Sequence, residues 1–273
     1  MKDISGQLLT EDTKEAFFRI AYPVAIYQNY VDYYFEIQQP LSSSPFHVNG
    51  LPSSNTLIAF NLNHQPWSSV KAGSEEPLIL KNAQFLGQTS VLYTGIYQSG
   101  MHVFFVKLKP GIASLIFNEK ATIFENGQID FAYLWKHSSL EEQIQEASGF
   151  SHRISLFQHA LLNNMVNNNA YQKVERLNKI MNVFNTLQLK GEKEIERICK
   201  SNWITYPSAR RDFLQYIGYT PKYCQKTSRL KNALKAYKQS GYHFYYEDFG
   251  YTDFSHFAKD ARQLTGRTPA MLV

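Results

Sequence analysis

The sequence turns on the stretch Gly250-Tyr251-Thr252-Asp253-Phe254-Ser255-His256-Phe257-Ala258-Lys259, continued by Leu264-Thr265-Gly266-Arg267-Thr268-Pro269. A residue able to cap stands before a short basic helix, a glycine able to take a left-handed turn closes it, and Thr-Pro opens the next element. The same pattern stands 48 residues earlier, with Arg211-Asp212 over Lys259-Asp260, Gln215 over Gln263, Gly218 over Gly266 and Thr220-Pro221 over Thr268-Pro269. There Thr205 takes the capping place of Asp253, and Pro207 sits in the first helical turn, where a missing N–H is tolerated. Sharp bends, Ser201-Asn202-Trp203 and Phe249-Gly250-Tyr251, precede the two helices, each after an earlier helical stretch. Helix, tight turn and cationic second helix is the arrangement that enters a major groove and holds the adjacent phosphates.

Charge agrees with that placement. Residues 1–169 hold 10 basic against 14 acidic side chains, whereas residues 170–273 hold 18 against 9, so the net +5 is all contributed by the last hundred residues or so. A basic segment joined to a mildly acidic one is the electrostatic footprint of a phosphate-neutralising module attached to one with another task. At 273 residues two domains are expected rather than one. Hydrophobic content of 44% and aromatic content of 15% exclude a disordered or collagen-like chain. Two cysteines, Cys199 and Cys224, exclude a disulfide-stapled module and a four-cysteine zinc site. The polar start Met1–Thr10 lacks a signal-peptide core and no apolar run reaches spanning length, so a cytoplasmic protein with no membrane partner is expected.

Upstream, Tyr30–Phe35, Thr56–Phe60, Ser90–Tyr97 and His102–Leu108 read as short strands rich in β-branched and aromatic residues and bounded by turn residues. They predict a small barrel or sandwich. Near Ser139 the period lengthens to a helical one through Leu140, Ile144, Ala147, Ile154, Phe157, Leu161 and Met165. The polar patch Asn163–Asn169 breaks it, after which Val174, Leu177, Ile180, Met181, Phe184 and Leu187 resume it, Gly191 stops it, and Ile195 and Ile198 mark the next helix. The expected fold class is α+β: a β-rich sensory or dimerisation domain over 1–137, a helical connector over 138–169, and an all-α domain with tandem helix-turn-helix units over 170–273.

The stretch from Gly250 to Pro269 resembles the AraC/XylS-type signature, roughly G-[FY]-x-D-x-S-H-F-x-[RK] followed by Gly-x-[ST]-Pro. Ile217–Tyr223 and Arg229–Ala233 fall where that family joins its two helix-turn-helix units, so the resemblance covers about residues 171–273. It implies a bacterial transcription regulator that binds double-stranded DNA through two recognition helices offered to successive major grooves. A homodimer, contact with RNA polymerase and, where one exists, a small-molecule effector belong to the same expectation. The preceding part is similar to the cupin-like sensory arms of such regulators in its aromatic opening strand, in Leu51-Pro52-Ser53-Ser54 and in Val106-Lys107-Leu108-Lys109-Pro110-Gly111.

Carried over residue by residue, the first recognition helix offers Pro207, Ser208, Arg210 and Arg211, and the second Phe254, Ser255, His256 and Lys259. Arg210 is the expected reader of a guanine edge, since the planar guanidinium can take O6 and N7 together. Arg211 is assigned to base or phosphate, Phe254 to a thymine methyl, and Lys259 to phosphate. Lys222, Lys226 and Arg229 would form a basic rail along the connecting helix. Two departures stand out: Tyr246 where the family carries a small alanine, and Ala261 where it carries a core phenylalanine. They either exchange bulk or mark a decayed second unit, the alternative then being a ligand-binding or protein-interaction protein that reads no operator.

Eight histidines show neither an H-x-H pair nor H-E-x-x-H, so no metal or other cofactor is expected. No nucleophile elbow or P-loop is present, and no enzymatic activity is expected. Tyr30, Tyr33, Tyr34, Phe35, Phe60, Trp67, Tyr93, Tyr97, Phe104 and Phe105 read as core, with the lining of an effector pocket as the alternative. The sequence names no effector-binding residue.

Overall fold

A computed structural model of the chain describes residues 7–9, 17–63, 65–80, 82–136, 139–164, 169–186, 192–240 and 243–273. Expectations placed on residues 1–6 and 10, on His64, His137, Met165, Leu187 and Gly191, and on the patch at 165–168 lie outside them. Eleven strands are described: β1 (Gln7–Leu9), β2 (Phe17–Ala21), β3 (Val31–Gln38), β4 (Phe46–Gly50), β5 (Thr56–Asn61), β6 (Trp67–Lys71), β7 (Pro77–Leu80), β8 (Gln84–Leu86), β9 (Tyr93–Tyr97), β10 (His102–Leu108) and β11 (Gln128–Asp130). They form a five-stranded sheet, β1-β4-β9-β6-β7, and a six-stranded sheet, β11-β8-β5-β10-β3-β2.

The alternation of side chains along a strand sends successive residues of β3 and β10 into two different cores, so both strands are buried on both faces. Tyr33, Phe35 and Ile37 of β3, with Val103 and Phe105 of β10, face the five-stranded sheet and meet Phe46, Trp67 and Tyr97 there. Tyr34 of β3 and Phe104, Val106 and Leu108 of β10 point the other way, into a second core. Helices cover that second face: α1 (Ile112–Phe117), α2 (Phe131–Leu134), α3 (Leu140–Glu146), α4 (Phe150–Asn164) and the start of α5 (Asn169–Thr186). Rings stack across the inner face, Phe35 on Phe105 at 4.4 Å and Phe46 on Tyr97 at 4.9 Å between centroids.

A buried charge cluster ties α4 to the six-stranded sheet. Glu36 of β3, 1% exposed, receives Arg153 Nη1 of α4 at 2.9 Å and lies 3.2 Å from His102 Nε2, with Arg19 at its outer edge. Arg153 spends its other donors on the carbonyls of Ile144 and Ala147, at the C-terminal end of α3.

The helical part continues with α6 (Glu192–Ser201), α7 (Tyr206–Tyr216), α8 (Pro221–Ser240), a 3-10 turn at Tyr246–Phe249 and α9 (Phe254–Thr265). Leu177, Ile180, Met181 and Phe184 of α5 pack with Ile195 and Ile198 of α6 and Phe213 of α7. Leu230, Ala233 and Leu234 of α8 pack with Phe257, Ala261 and Leu264 of α9, and this cluster takes in Leu51 and Leu92 from the β-rich part.

Three sequence expectations need correction. The strand placed at Ser90–Tyr97 starts only at Tyr93, because Thr89 pairs with Ser53 as a single bridge and Leu92 turns to pack under α8. The β-rich part also contains two helices, α1 and α2, whose apolar faces close the second core. In the second repeat the helix expected before the bend is a single 3-10 turn, Tyr246–Phe249, since α8 extends to Ser240 and leaves little chain before Gly250.

Candidate functional site

Both basic helices are built as the repeat demands. Thr205 Oγ1 accepts the backbone N–H of Ser208 at α7, and Asp253 Oδ1 accepts that of His256 at 2.7 Å at α9. The bond from His256 N–H and the adjoining Thr252 hydroxyl hold the Asp253 carboxyl below its ordinary range. Gly218 and Gly266 follow the two helices at φ +85° and +73°, where a side chain would be strained. Thr220 then caps α8, its Oγ1 accepting Tyr223 N–H, with Pro221 at the first helical position.

Burial of Ala209 and Phe213 on α7 leaves Pro207, Arg210 and Arg211 exposed on the opposite side, with Ser208 half-buried at the cap. Arg211 Nη2 lies 3.4 Å from Ser208 Oγ. On α9, Phe257, Asp260, Ala261 and Leu264 are buried, and Phe254, Ser255 and Lys259 are exposed. His256 is half-buried, edge-on to the Tyr251 ring and within 3.3 Å of the Thr252 hydroxyl, so it closes the bend as well as standing on the helix.

Arg229 and Lys226 have partners within the fold. Arg229 Nη2 binds Asp260 Oδ2 at 2.6 Å and its guanidinium lies 4.4 Å over the Tyr251 ring. Lys226 Nζ binds Gln263 Oε1 at 2.6 Å and Asp260 Oδ1 at 3.2 Å. Together they clasp α8 to α9 rather than line a solvent-facing rail. Lys222 is exposed on the first turn of α8. Tyr246 is half-buried against the cluster that contains the fully buried Ala261, the neighbourhood expected if bulk has been exchanged between them.

Trp203, in the bend between α6 and α7, is 91% exposed at φ +57°. A bulky residue there costs about 1–2 kcal/mol that glycine would not. Trp203→Gly is therefore expected to leave the midpoint of urea unfolding unchanged or raised, and a loss above about 1 kcal/mol would show that packing holds the ring.

A second feature lies where the β-rich part meets α8. A cavity of about 130 Å³ opens between the sheets, walled by Tyr33, Trp67, Leu80, Tyr97 and Phe105, with Lys107 of β10 and Lys231 of α8 among its lining residues. Lys107 Nζ bonds Asp32 Oδ2 at 3.2 Å and the Tyr33 hydroxyl at 3.3 Å. Burial alone would lower the Lys107 pKa; Tyr33 and Asp32 outweigh it and hold it above the ordinary lysine value. For Lys231, burial and the neighbouring Lys107 outweigh the opposing pull of Asp32 and Cys224 and push it down to about 7. Cys224, beside Ser54 Oγ at 3.5 Å, is pushed up to about 12 by burial, which leaves it an inert thiol. Of the aromatic residues that the sequence left between core and pocket, Tyr33, Trp67, Tyr93, Tyr97 and Phe105 line the cavity, while Tyr34, Phe60 and Phe104 belong to the opposite core.

No helix among the described residues is long and apolar enough to cross a membrane. No protein-family model matches the chain, and no curated protein does. Among solved structures, the chain is similar to ToxT from Vibrio cholerae bound to an unsaturated fatty acid, at 10% identity and a TM-score of 0.42, over 96% of each chain. It is also similar to the AraC-like transcriptional activator CuxR, at 9% identity and a TM-score of 0.29, over 73% of this chain and 80% of that one.

Proposed function

We propose that the chain is a sequence-specific DNA-binding transcription regulator of AraC type, without enzymatic activity, that acts in the cytoplasm. In this proposal α7 and α9 enter the major groove, Arg210 and Arg211 make base or phosphate contacts in the first unit, and Lys259 holds phosphate in the second, with Phe254 and Ser255 beside it. The observation that carries it is the repeated cap, basic helix and left-handed glycine, with the cationic side of both helices exposed. The β-rich part is the sensor, and the cavity between its sheets takes an apolar or amphipathic effector, as the fatty acid of ToxT would be. An anionic end would meet Lys107 and Lys231, one from each part, so occupancy would bias their relative placement. A homodimer and contact with RNA polymerase complete the proposal.

Affinity for a duplex, titrated against salt, is expected to fall steeply, with a log–log slope of about −0.9 per phosphate neutralised; a slope near zero counts against DNA binding altogether. Arg210→Ala is expected to lose about 1–3 kcal/mol of discrimination at one or two base pairs, while Lys259→Ala weakens all sequences alike. Equal losses on every site for both variants would contradict the division of roles. The single 3-10 turn before α9 favours a second proposal, in which the second unit reads no sequence. Selection from a random duplex library separates the two: one enriched half-site supports a silent second unit, and two spaced half-sites exclude it.

A further inference from the structure

Beside the apolar cavity, and sharing Leu51, Asn55, Lys107 and Lys231 with it, lies a polar chamber of about 280 Å³. One wall is the end of β10 and its loop, with Lys107 and Lys109, next to Asp32 of β3. The facing wall is helical: Lys231 and Lys235 stand one turn apart on α8, and Asn178, Asn182 and Asn185 share a face of α5. Four lysines and one carboxylate, Asp32, which is paired with Lys107, thus line the chamber. The excess of like charge shows in Lys231, whose ammonium form is disfavoured by both burial and Lys107.

These lysines are also the wrong ones for DNA. Lys231 and Lys235 contribute to the basic count of the helical part, yet they line a chamber shared with Lys107, Lys109 and Pro110 of the β-rich part, and no residue exposed on α7 or α9 lines it. Lysine serves phosphate as a strong point charge, and neighbouring amides and hydroxyls can read uncharged substituents. A volume just below the roughly 300–1,000 Å³ of usual ligand pockets limits the occupant to a small molecule.

We propose that this chamber is a binding site for a small phosphorylated metabolite, its phosphate held by Lys107, Lys109, Lys231 and Lys235 and its hydroxyl-bearing remainder by the asparagine face of α5. The site goes beyond DNA reading and does not depend on it; it shares Lys107 and Lys231 with the apolar effector cavity, so an anionic effector there would compete with the phosphate for them. Its ligand would bridge the β-rich part to α5 and α8, the helices that support the two basic helices.

The test is calorimetric titration of the full chain with glycerol 3-phosphate, with glycerol as the control, at constant ionic strength so that surface screening does not vary. Saturable binding of glycerol 3-phosphate without binding of glycerol is expected. Lys109→Gln/Lys235→Gln is expected to weaken it at least about tenfold, the equivalent of one lost charged contact. Arg210→Gln/Lys259→Gln is expected to leave it unchanged. Unfolding curves matching the wild type certify that both double variants fold. No saturable binding, equal binding by wild type and the Lys109/Lys235 variant, or loss only in the Arg210/Lys259 variant would each overturn the proposal. The last result would assign the phosphate to the DNA-facing side and leave the transcription-regulator reading intact.

Discussion

Glu36→Ala is expected to lower the free energy of unfolding by about 3–5 kcal/mol, the cost of leaving a buried cation without its carboxylate. Arg153, with its side chain 9% exposed, would keep its bonds to the Ile144 and Ala147 carbonyls but lose its only counter-charge among the described residues. His102 and Arg19 would lose the same partner. Because this cluster fastens α4 to the six-stranded sheet, the loss is expected in urea unfolding followed by both circular dichroism and tryptophan fluorescence. The double variant Glu36→Leu/Arg153→Met is expected to recover much of it, since an apolar pair of similar volume avoids the desolvation penalty. A single-variant loss below about 1 kcal/mol would mean that water reaches the cluster and screens it.

The same carboxylate sets an acid limit. Burial by itself would raise the Glu36 pKa, but His102, Arg153 and Arg19 outweigh it and hold it below the ordinary value. A depressed carboxylate contributes stability that is complete above its unfolded pKa of about 4.3 and is lost as pH falls through the lower folded value. Wild-type stability is therefore expected to drop below about pH 4.3, and the Glu36→Gln variant to show a shallower drop over that window. Parallel curves would remove Glu36 as the cause.

Asp260→Ala is expected to cost about 2–3 kcal/mol, less than Glu36→Ala, because the Lys226 and Arg229 side chains remain 24% and 18% exposed and water softens the loss. Its effect on function should exceed its effect on stability. The Asp260 clasp holds α9 on α8 where the second repeat has only a 3-10 turn in place of a leading helix. Duplex affinity is expected to fall more than tenfold, while Asp212→Ala, at the equivalent place in the first repeat, changes it little. Asp212 makes no ion pair among the described residues, and α6 supports α7 through apolar packing instead. Equal losses from the two variants would show that the clasp does not orient α9.

Much of the helical part was legible because its signals are local. Thr205, Asp253, Gly218 and Gly266 act on their own backbone within a turn, so residue type and spacing reveal the helix limits. The pairing of Asp260 with Lys226 and Arg229 was not legible. A lysine and an arginine three residues apart on a helix look alike whether they meet phosphate or a carboxylate 31 to 34 positions away. The strand reading met the same limit: β3 and β10 are buried on both faces, so their apolar runs carry no alternation to say which aromatic side chains face the cavity. Leu51–Ser54 and Val106–Gly111, noted for a family likeness, turn out to supply Leu51, Ser54, Lys107, Lys109 and Pro110 to the chamber walls.

By itself the sequence determined the change from strands to helices, the repeated capped basic helices and the confinement of positive charge to the last part of the chain, since each depends on neighbours within a few residues. Only the tertiary structure decided which cations face outward and which are turned in. Whether Lys231 lies beside Lys107, or Arg153 beside Glu36, depends on long-range packing that brings distant segments within hydrogen-bonding reach. A charge is worth little until its distance, its burial and the number of opposing charges around it are fixed.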